Sequence, residues 1–548
     1  MIKSLKLKNV GPLPDATIDF GKRLNIITGD NGLGKSFLLD VIWFGLTGWW
    51  PIEVNGRMTS GYMARPLDVT KEASIEIIYD KKGKMNTSCS QFKYERQDEK
   101  WHQPSHVFIS YTRVKDLLEH IKQIQIEHIK QIQNITKDLS NQLSLYHRTS
   151  SIKKLNFLKQ IQLPTADDKI QFPTADAIKR TSYADEIREC SQFIKKMNSN
   201  NIAEKIQFDS NNTEEIEFRP DNLVLYAHYD GSFSVEDSTR GNQNKKFESR
   251  NLPHAFVFTP SEVWDGANTI DKITGKEIPI CNGLIRDWVS WQDRHKDDPN
   301  DEFSILTYCL EKLSPPDFSQ KLAPAEHGRI STSDSREHPF IKMPYGNTPA
   351  VWASAGIRRI LTLAYMLTWT ITEHMKSCDV LGEKPVSQIT FLFDEVDAHL
   401  HPKWQRQIMG GILSALESLT KSMAINTQII SVTHSPLVMA SLEALFDKKT
   451  DKWLDLDLNM ANGNVQIEER KFIKMGEASS WLTSDAFDLK STYSIEAEQA
   501  MNEYNKLMSQ EKIDSKKLSE IIKKLEKLLP DTDPFWVAVD FPKTGDSK

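Results

Sequence analysis

The sequence predicts an α/β fold: a mixed sheet lined by helices, with a helical, coiled-coil-like insertion and a helical C-terminal region. Three observations predict it. Short strand-like stretches at 2–10, 16–20 and 24–27 lead into a glycine-rich loop and an apolar helix through Phe37, Leu38, Leu39, Val41 and Ile42. Two late apolar runs, 389–393 and 428–432, read as buried strands. Elsewhere apolar residues recur at helical spacing, around 285–291, 303–313 and 360–372.

In chain order, strand, glycine-rich loop and helix at the N-terminus give the context a phosphate-binding loop needs. From Val114 the texture changes. Val114, Leu118, Ile121, Ile129, Ile132 and Leu139 recur at helical spacing among Lys, Gln, Glu and His, as on an amphipathic or coiled-coil helix. The hexamer HIKQIQ occurs at 120–125 and 128–133, and PTAD at 164–167 and 173–176. Two copies of each read as local duplications in a tolerant insertion, not as a solenoid. Residues 195–220 are polar and Asn-rich, as in a loop.

Compact sequence resumes with LVLYAHYDGSFSVED, a hairpin pattern, and the two apolar helices noted above follow. Residues 317–340 read as loop, and 343–352 as strand-like before the long apolar helix. In the last hundred residues a short sheet-like piece precedes helices. One of these places Leu518, Ile521, Ile522, Leu525 and Leu529 on one face and stops at Pro530.

A chain of 548 residues exceeds what one hydrophobic core supports, so two or three structural units are expected. A net charge of −6 gives no global basic field for nucleic acid, though a local patch stays open. The five cysteines are scattered with no CxxC pair, which argues against a zinc site or a disulfide framework and suits a reducing cytosol. The N-terminus lacks the apolar core of a signal peptide, and the longest apolar candidate, 360–372, suits a buried helix better than a membrane span. A cytoplasmic protein with no membrane partner is expected.

Four motifs carry chemistry. Gly29, Asp30, Asn31, Gly32, Leu33, Gly34, Lys35 and Ser36 fit GxxxxGK[ST]. The glycines turn backbone N–H groups toward phosphate oxygens, and the helix that follows adds its positive end. Lys35 would neutralise phosphates of ATP, and Ser36 would ligate Mg²⁺. The apolar run ending in Asp394 and Glu395 places two carboxylates at a sheet edge. Asp394 would hold Mg²⁺; Glu395 would be the general base toward the attacking water. Ser354 and Gly356 form a small-residue turn at a helix N-terminus, an anion site in its chemistry but also an ordinary cap. His434 ends the run at 428–432 and would contact the γ-phosphate, although a strand-end histidine is commonly structural.

The order decides among these readings. Loop, Ser-x-Gly-x-Arg-Arg turn, Asp-Glu strand and Thr-His-Ser-Pro strand follow one another, with near-equal steps between 354, 394 and 434. The series resembles the Walker A, signature, Walker B and switch-histidine series of ABC-type ATPases. Asp397, with Ala398, His399, Leu400, His401 and Pro402, resembles the D-loop of the RecF and SMC-like branch, which makes His399 and His401 poor metal ligands. The resemblance implies that two heads sandwich two nucleotides, with Ser354 and Gly356 of one capping the γ-phosphate held by Lys35 of the other. It makes 1–112 and 343–446 the two parts of the ATPase head, while the changes of texture along the chain mark 113–222 as a helical, partly flexible insertion, 223–342 as an α/β segment with apolar helices, and 447–548 as a mostly helical region, a candidate for partner docking.

Further text is more specific. YAHYDGSF at 226–233, FTPSEVWDG at 258–266, NGLIRDWVSWQ at 282–292, MPYG at 343–346, WLTSDAF at 481–487 and SIEAE at 494–498 resemble the PtuA-like ATPases of Septu and retron anti-phage systems, over roughly 1–110 and 223–500. That family implies a sensing or regulatory ATPase acting with an HNH endonuclease (PtuB-like), and in retron systems also with a reverse transcriptase and its RNA–DNA product, msDNA. Nucleic acid would be engaged indirectly. Asp455 and Asp457 lack the upstream Glu-Gly segment of a Toprim nuclease, unlike OLD-type proteins. The tryptophans of these segments are read as core anchors. Two rivals remain: a RecF-like repair ATPase that clamps DNA, and a switch that binds ATP but scarcely hydrolyses it. The Q-loop glutamine is not identifiable, with Gln91 and Gln97 as candidates.

Overall fold

The computed structural model describes residues 1–80, 87–103, 223–241, 255–270, 275–296, 298–316, 321–421, 423, 425–487, 489–510 and 513–540. The helical pattern from Val114, both duplications, the Asn-rich stretch and Cys190 lie outside the described residues.

Eighteen strands are described. They are β1 (Ile2–Val10), β2 (Leu13–Asp19), β3 (Leu24–Gly29), β4 (Ser74–Asp80), β5 (Thr87–Glu95), β6 (Lys100–His102), β7 (Leu223–Ala227), β8 (Phe233–Asp237) and β9 (Ala255–Phe258). There follow β10 (Ala267–Ile270), β11 (Glu277–Cys281), β12 (Pro324–Gly328), β13 (His338–Met343), β14 (Gly346–Pro349), β15 (Gln388–Asp394), β16 (Asn426–Val432), β17 (Lys452–Asn459) and β18 (Asn464–Arg470). The largest sheet has the order β18-β17-β3-β16-β15-β7-β8-β9. Its centre, β17 through β7, is parallel, and antiparallel strands β18, β8 and β9 complete it. A second, five-stranded antiparallel sheet runs β2-β1-β4-β5-β6.

Alternation along the central strands builds a core on each face of the large sheet, because successive side chains point to opposite sides. Leu223, Leu225, Ile389, Phe391 and Phe393 join one cluster with Leu363, Leu367, Ile408 and Ile412 from the helices Ala355–Leu381 and Pro402–Lys421. Val224, Tyr226, Leu392, Ile430 and Val432 join the other with the helix Lys35–Thr47 (α1) and the five-stranded sheet. Gln428 links the two sheets: its amide donates to the Ile2 and Gly21 carbonyls at 2.8 Å each and accepts from Ile2 N–H at 2.7 Å.

The hairpin expected at 223–237 is β7–β8, and the helices at 285–291 and 303–313 are Leu284–Arg294 and Glu302–Leu313. Two expectations are corrected. The stretch 343–352 is no single strand; it is the end of β13, the turn into β14, and a 3₁₀ turn at Ala350–Trp352. Residues 317–340 are not loop throughout, since β12 and the start of β13 fall within them. β12 is PAEHG, built from residues that strands usually lack, and β13 carries Pro339, so neither registers as a strand pattern. The helix ending before Pro530 is Ser515–Leu528. Its apolar face packs on the helix Ile495–Met508, so Leu525 and Leu529 are buried with Ala497, Ala500 and Tyr504. No helix among the described residues is long and apolar enough to cross a membrane.

Candidate nucleotide-binding site

The loop between β3 and α1 lies at the carboxyl edge of the parallel strands. Gly34 must be glycine: its φ is +93°, and a Cβ there would sit 2.7 Å from Pro12 Cγ. Asp30, Asn31 and Gly32 form an exposed rim, whereas Leu33 and Gly34 are half-buried. Lys35, 5% exposed, donates from Nζ to the carbonyls of Gly29 at 2.9 Å and Asp30 at 2.6 Å. Burial lowers its pKa, against the pull of Glu395, Asp30 and Asp394. The ammonium is thus held inside the loop by neutral carbonyls, a partnership that a phosphate oxygen would outbid.

The parallel register sets β15, β16 and β3 side by side, with Asp394 opposite Val432 and Val432 opposite Ile27. Ser36 Oγ therefore meets Asp394, donating to Oδ1 at 3.0 Å. Asp394 is 1% exposed, and burial pushes its carboxyl up to about 7. Its Oδ2 is buried without a hydrogen-bond partner. A hydroxyl, a carboxylate and one orphaned carboxylate oxygen in a dry corner fit a hard divalent cation such as Mg²⁺, which would hold the acid ionised.

Glu395 and His434 follow at the ends of β15 and β16. Glu395 adopts φ +48°, an uncommon conformation outside glycine, and is partly open to solvent. Its Oε1 lies 3.6 Å from His434 Nε2. Burial and the neighbouring Lys35 lower the His434 pKa, so the imidazole is neutral near pH 7. The Glu395 side chain and a neutral imidazole thus stand side by side at the edge that carries the loop.

The remaining motif residues lie differently. Ser354 caps the helix Ala355–Leu381 (α2), accepting from Ile357 N–H at 3.5 Å, and is exposed. Gly356 lies against the turn after β15: a Cβ there would be 2.9 Å from the His399 carbonyl. Among the described residues neither hydrogen-bonds to the loop 29–36 of its own chain. Asp397 points inward, 6% exposed, accepting from Thr433 Oγ1 at 2.8 Å, and burial raises its pKa. His399 and His401 are exposed and belong to no cluster of three ligating side chains among the described residues. Gln91 and Gln97 are both exposed and lie in and just beyond β5 of the five-stranded sheet.

Three groups at this edge escaped the sequence reading. Arg359, in the first turns of α2, donates to the carbonyls of Tyr229 at 3.0 Å, His228 at 3.1 Å, and Asp394 and Glu395 at 3.4 Å each. It ties α2 to the ends of β7 and β15. Tyr226 OH donates to Asp40 of α1 at 2.9 Å, and burial pushes the Asp40 carboxyl well up. His228 is buried, its Nε2 at 2.8 Å from Ser234 Oγ, and burial lowers it to about 3. The Ser-x-Gly-x-Arg-Arg turn contained Arg359 and the YAHYDG text contained Tyr226 and His228; what joins the latter two to the site is that β7 pairs with β15.

Residues 4–219 match a family model described as "AAA domain", and residues 339–440 match one described as "AAA domain, putative AbiEii toxin, Type IV TA system". The first span includes Lys35 and Ser36; the second includes Ser354, Asp394, Glu395 and His434. Each motif-bearing part of the chain is therefore similar to an AAA-domain model. Among solved structures, the chain is similar to the SMC head domain from Thermotoga maritima, at 12% identity and a TM-score of 0.32, over 86% of this chain and 99% of that one. It is similar also to an Smc head from Pyrococcus furiosus with an extended coiled coil, bound to the C-terminal domain of ScpA, at 13% identity and a TM-score of 0.34, over 86% and 96%. At this level of overlap these likenesses say nothing of what the chain does.

Proposed function

We propose that this chain hydrolyses ATP between two copies of itself and uses the cycle to regulate a partner nuclease in an anti-phage defence complex. The observation that carries the ATPase part is the meeting of Ser36, Asp394, Glu395 and His434 around the loop 29–36, with Asp394 Oδ2 left without a partner. Loop N–H groups and Lys35 would bind the triphosphate. Ser36 and Asp394 would hold Mg²⁺, which when bound neutralises developing negative charge. Glu395 would take the proton of the attacking water, and His434 would orient it. Ser354 and Gly356, exposed and away from their own loop, would close over the nucleotide of the second copy, completing a shell of donors that solvent otherwise replaces. ATP binding joins the heads and hydrolysis releases them.

The defence reading rests on the family-like segments of the sequence, several of which form the structural frame of the site. YAHYDG ends the strand beside β15, and Trp288, Trp291 and Trp481 are core anchors. The partner would be an HNH endonuclease, joined in a retron system by a reverse transcriptase and its RNA–DNA, all in the cytoplasm. The test is a pull-down of tagged protein and of its Glu395→Gln variant from the native host, with mass spectrometry. Recovery of an HNH protein supports the reading. Recovery of chromosomal DNA with replication proteins alone overturns it in favour of a DNA-clamping repair ATPase.

A further inference from the structure

The sequence holds thirteen tryptophans, and only two stand exposed, Trp49 at 46% and Trp352 at 64%. Such exposure forgoes the large area an indole can bury, which makes it informative in a way that an exposed polar residue is not. Trp352 ends the 3₁₀ turn Ala350–Trp352. The turn is pinned from below by Ala350, which is fully buried, and by the Ala353 N–H bond to the Ala350 carbonyl at 3.2 Å. The ring's outward position is set by that backbone. Among the described residues Trp352 makes no hydrogen bond and no ring contact.

Its neighbourhood says what it faces. Two residues later Ser354 caps α2, a helix of 27 residues with no acid in its first turn, and Ser354, Ala355 and Arg358 are all exposed. The helix end and Arg358 together bring positive charge to this surface, beside the cleft that Asp230, Asp265, Asp334 and Arg336 also line. The complementary surface on the same chain is the loop rim of Asp30, Asn31 and Gly32, exposed and negative at Asp30, and more so once it carries a triphosphate. A chain with both surfaces matches the opposite surfaces of a second copy.

We propose that Trp352 is the apolar anchor by which one copy docks beside the nucleotide-loaded loop of a second copy, covering the rim formed by Asp30, Asn31 and Gly32. This rests on the two-head reading above and adds the residue that sets the strength of the head contact. Large aromatics at the centre of an interface carry a disproportionate share of its affinity. Among the described residues no hydrogen bond or ring contact joins Trp352 to its own loop 29–36, so its loss is expected to weaken dimerisation and leave ATP binding by the single head intact.

The experiment measures self-association of full-length protein with Mg²⁺ and ATP by analytical ultracentrifugation, in the Glu395→Gln background that holds ATP unhydrolysed. Binding of a fluorescent ATP analogue to the single head is measured in parallel. The expected result is that Glu395→Gln dimerises, that adding Trp352→Ala raises the dimer Kd by about tenfold or more, that Trp352→Phe raises it by about threefold or less, and that analogue binding is unchanged in all three. If Trp352→Ala dimerises as tightly as its parent, the anchor is overturned while the two-head reading stands. If the parent binds ATP yet stays monomeric, the two-head reading fails and the anchor with it.

Discussion

Ser36 Oγ donates to Asp394 Oδ1 at 3.0 Å, joining residues 358 positions apart in the chain. The contact exists because β3 and β15 both flank β16 in parallel, so the loop after one strand and the acid ending the other emerge at the same edge. The other Asp394 oxygen is buried with nothing to accept from, and that asymmetry has a cost that can be measured.

In metal-free protein, burial raises Asp394 to about 7. A raised acid keeps its proton in the folded state after the unfolded chain has lost it, so stability falls as pH rises from about 4 to about 7. Asp394→Asn removes this penalty. In EDTA, the variant is expected to melt above wild type at pH 8, by an amount equivalent to at most about 4 kcal/mol, with the gap closing toward pH 4. Thermal melts across pH check it; an unchanged gap between pH 4 and pH 8 refutes it.

Glu395→Gln removes the proton acceptor and leaves the loop, Lys35 and Ser36 untouched. ATP turnover is expected to fall by about 10²–10⁴-fold with ATP binding retained. Steady-state phosphate release and equilibrium binding on the same preparation separate the two quantities.

Arg359 holds four carbonyls, from His228, Tyr229, Asp394 and Glu395. Arg359→Ala leaves these groups to find other partners, at about 1–3 kcal/mol in stability. The larger effect is expected on turnover, by about tenfold or more, because the peptide carrying Glu395 loses its tether. ATP affinity should change little. Equal losses in binding and turnover would mean the arginine merely holds the fold together.

Trp481 tests the C-terminal side of the core. It is fully buried, its Nε1 donates to Glu443 Oε1 at 2.7 Å, and its ring lies 5.7 Å from Trp453 and 5.3 Å from Phe472. Trp481→Ala is expected to cost about 3–5 kcal/mol, read from the shift of a urea unfolding midpoint. Glu443 also accepts from the N–H groups of Met475 and Gly476, so Glu443→Ala should loosen this connection as well.

The local chemistry is legible in the residues themselves. The GxxxxGK[ST] spacing specified a loop that bends at Gly34, and apolar runs ending in Asp394 and His434 specified strands that deliver polar groups to an edge. Each of these follows from residues within a few positions of one another, where steric limits and side-chain alternation act directly. The tertiary structure alone decided which strand stands beside β15, because strand order arises from packing across hundreds of residues. From that order come the Tyr226–Asp40 bond, the Arg359 tether and the burial of Asp397 against Thr433. Gln91 and Gln97 could be weighed as site residues in the sequence because nothing local distinguishes one exposed glutamine from another. The sheet in which each strand lies decides that: Gln91 is on β5 of the five-stranded sheet and Gln97 is in the turn after it, so neither lies on a strand of the large sheet.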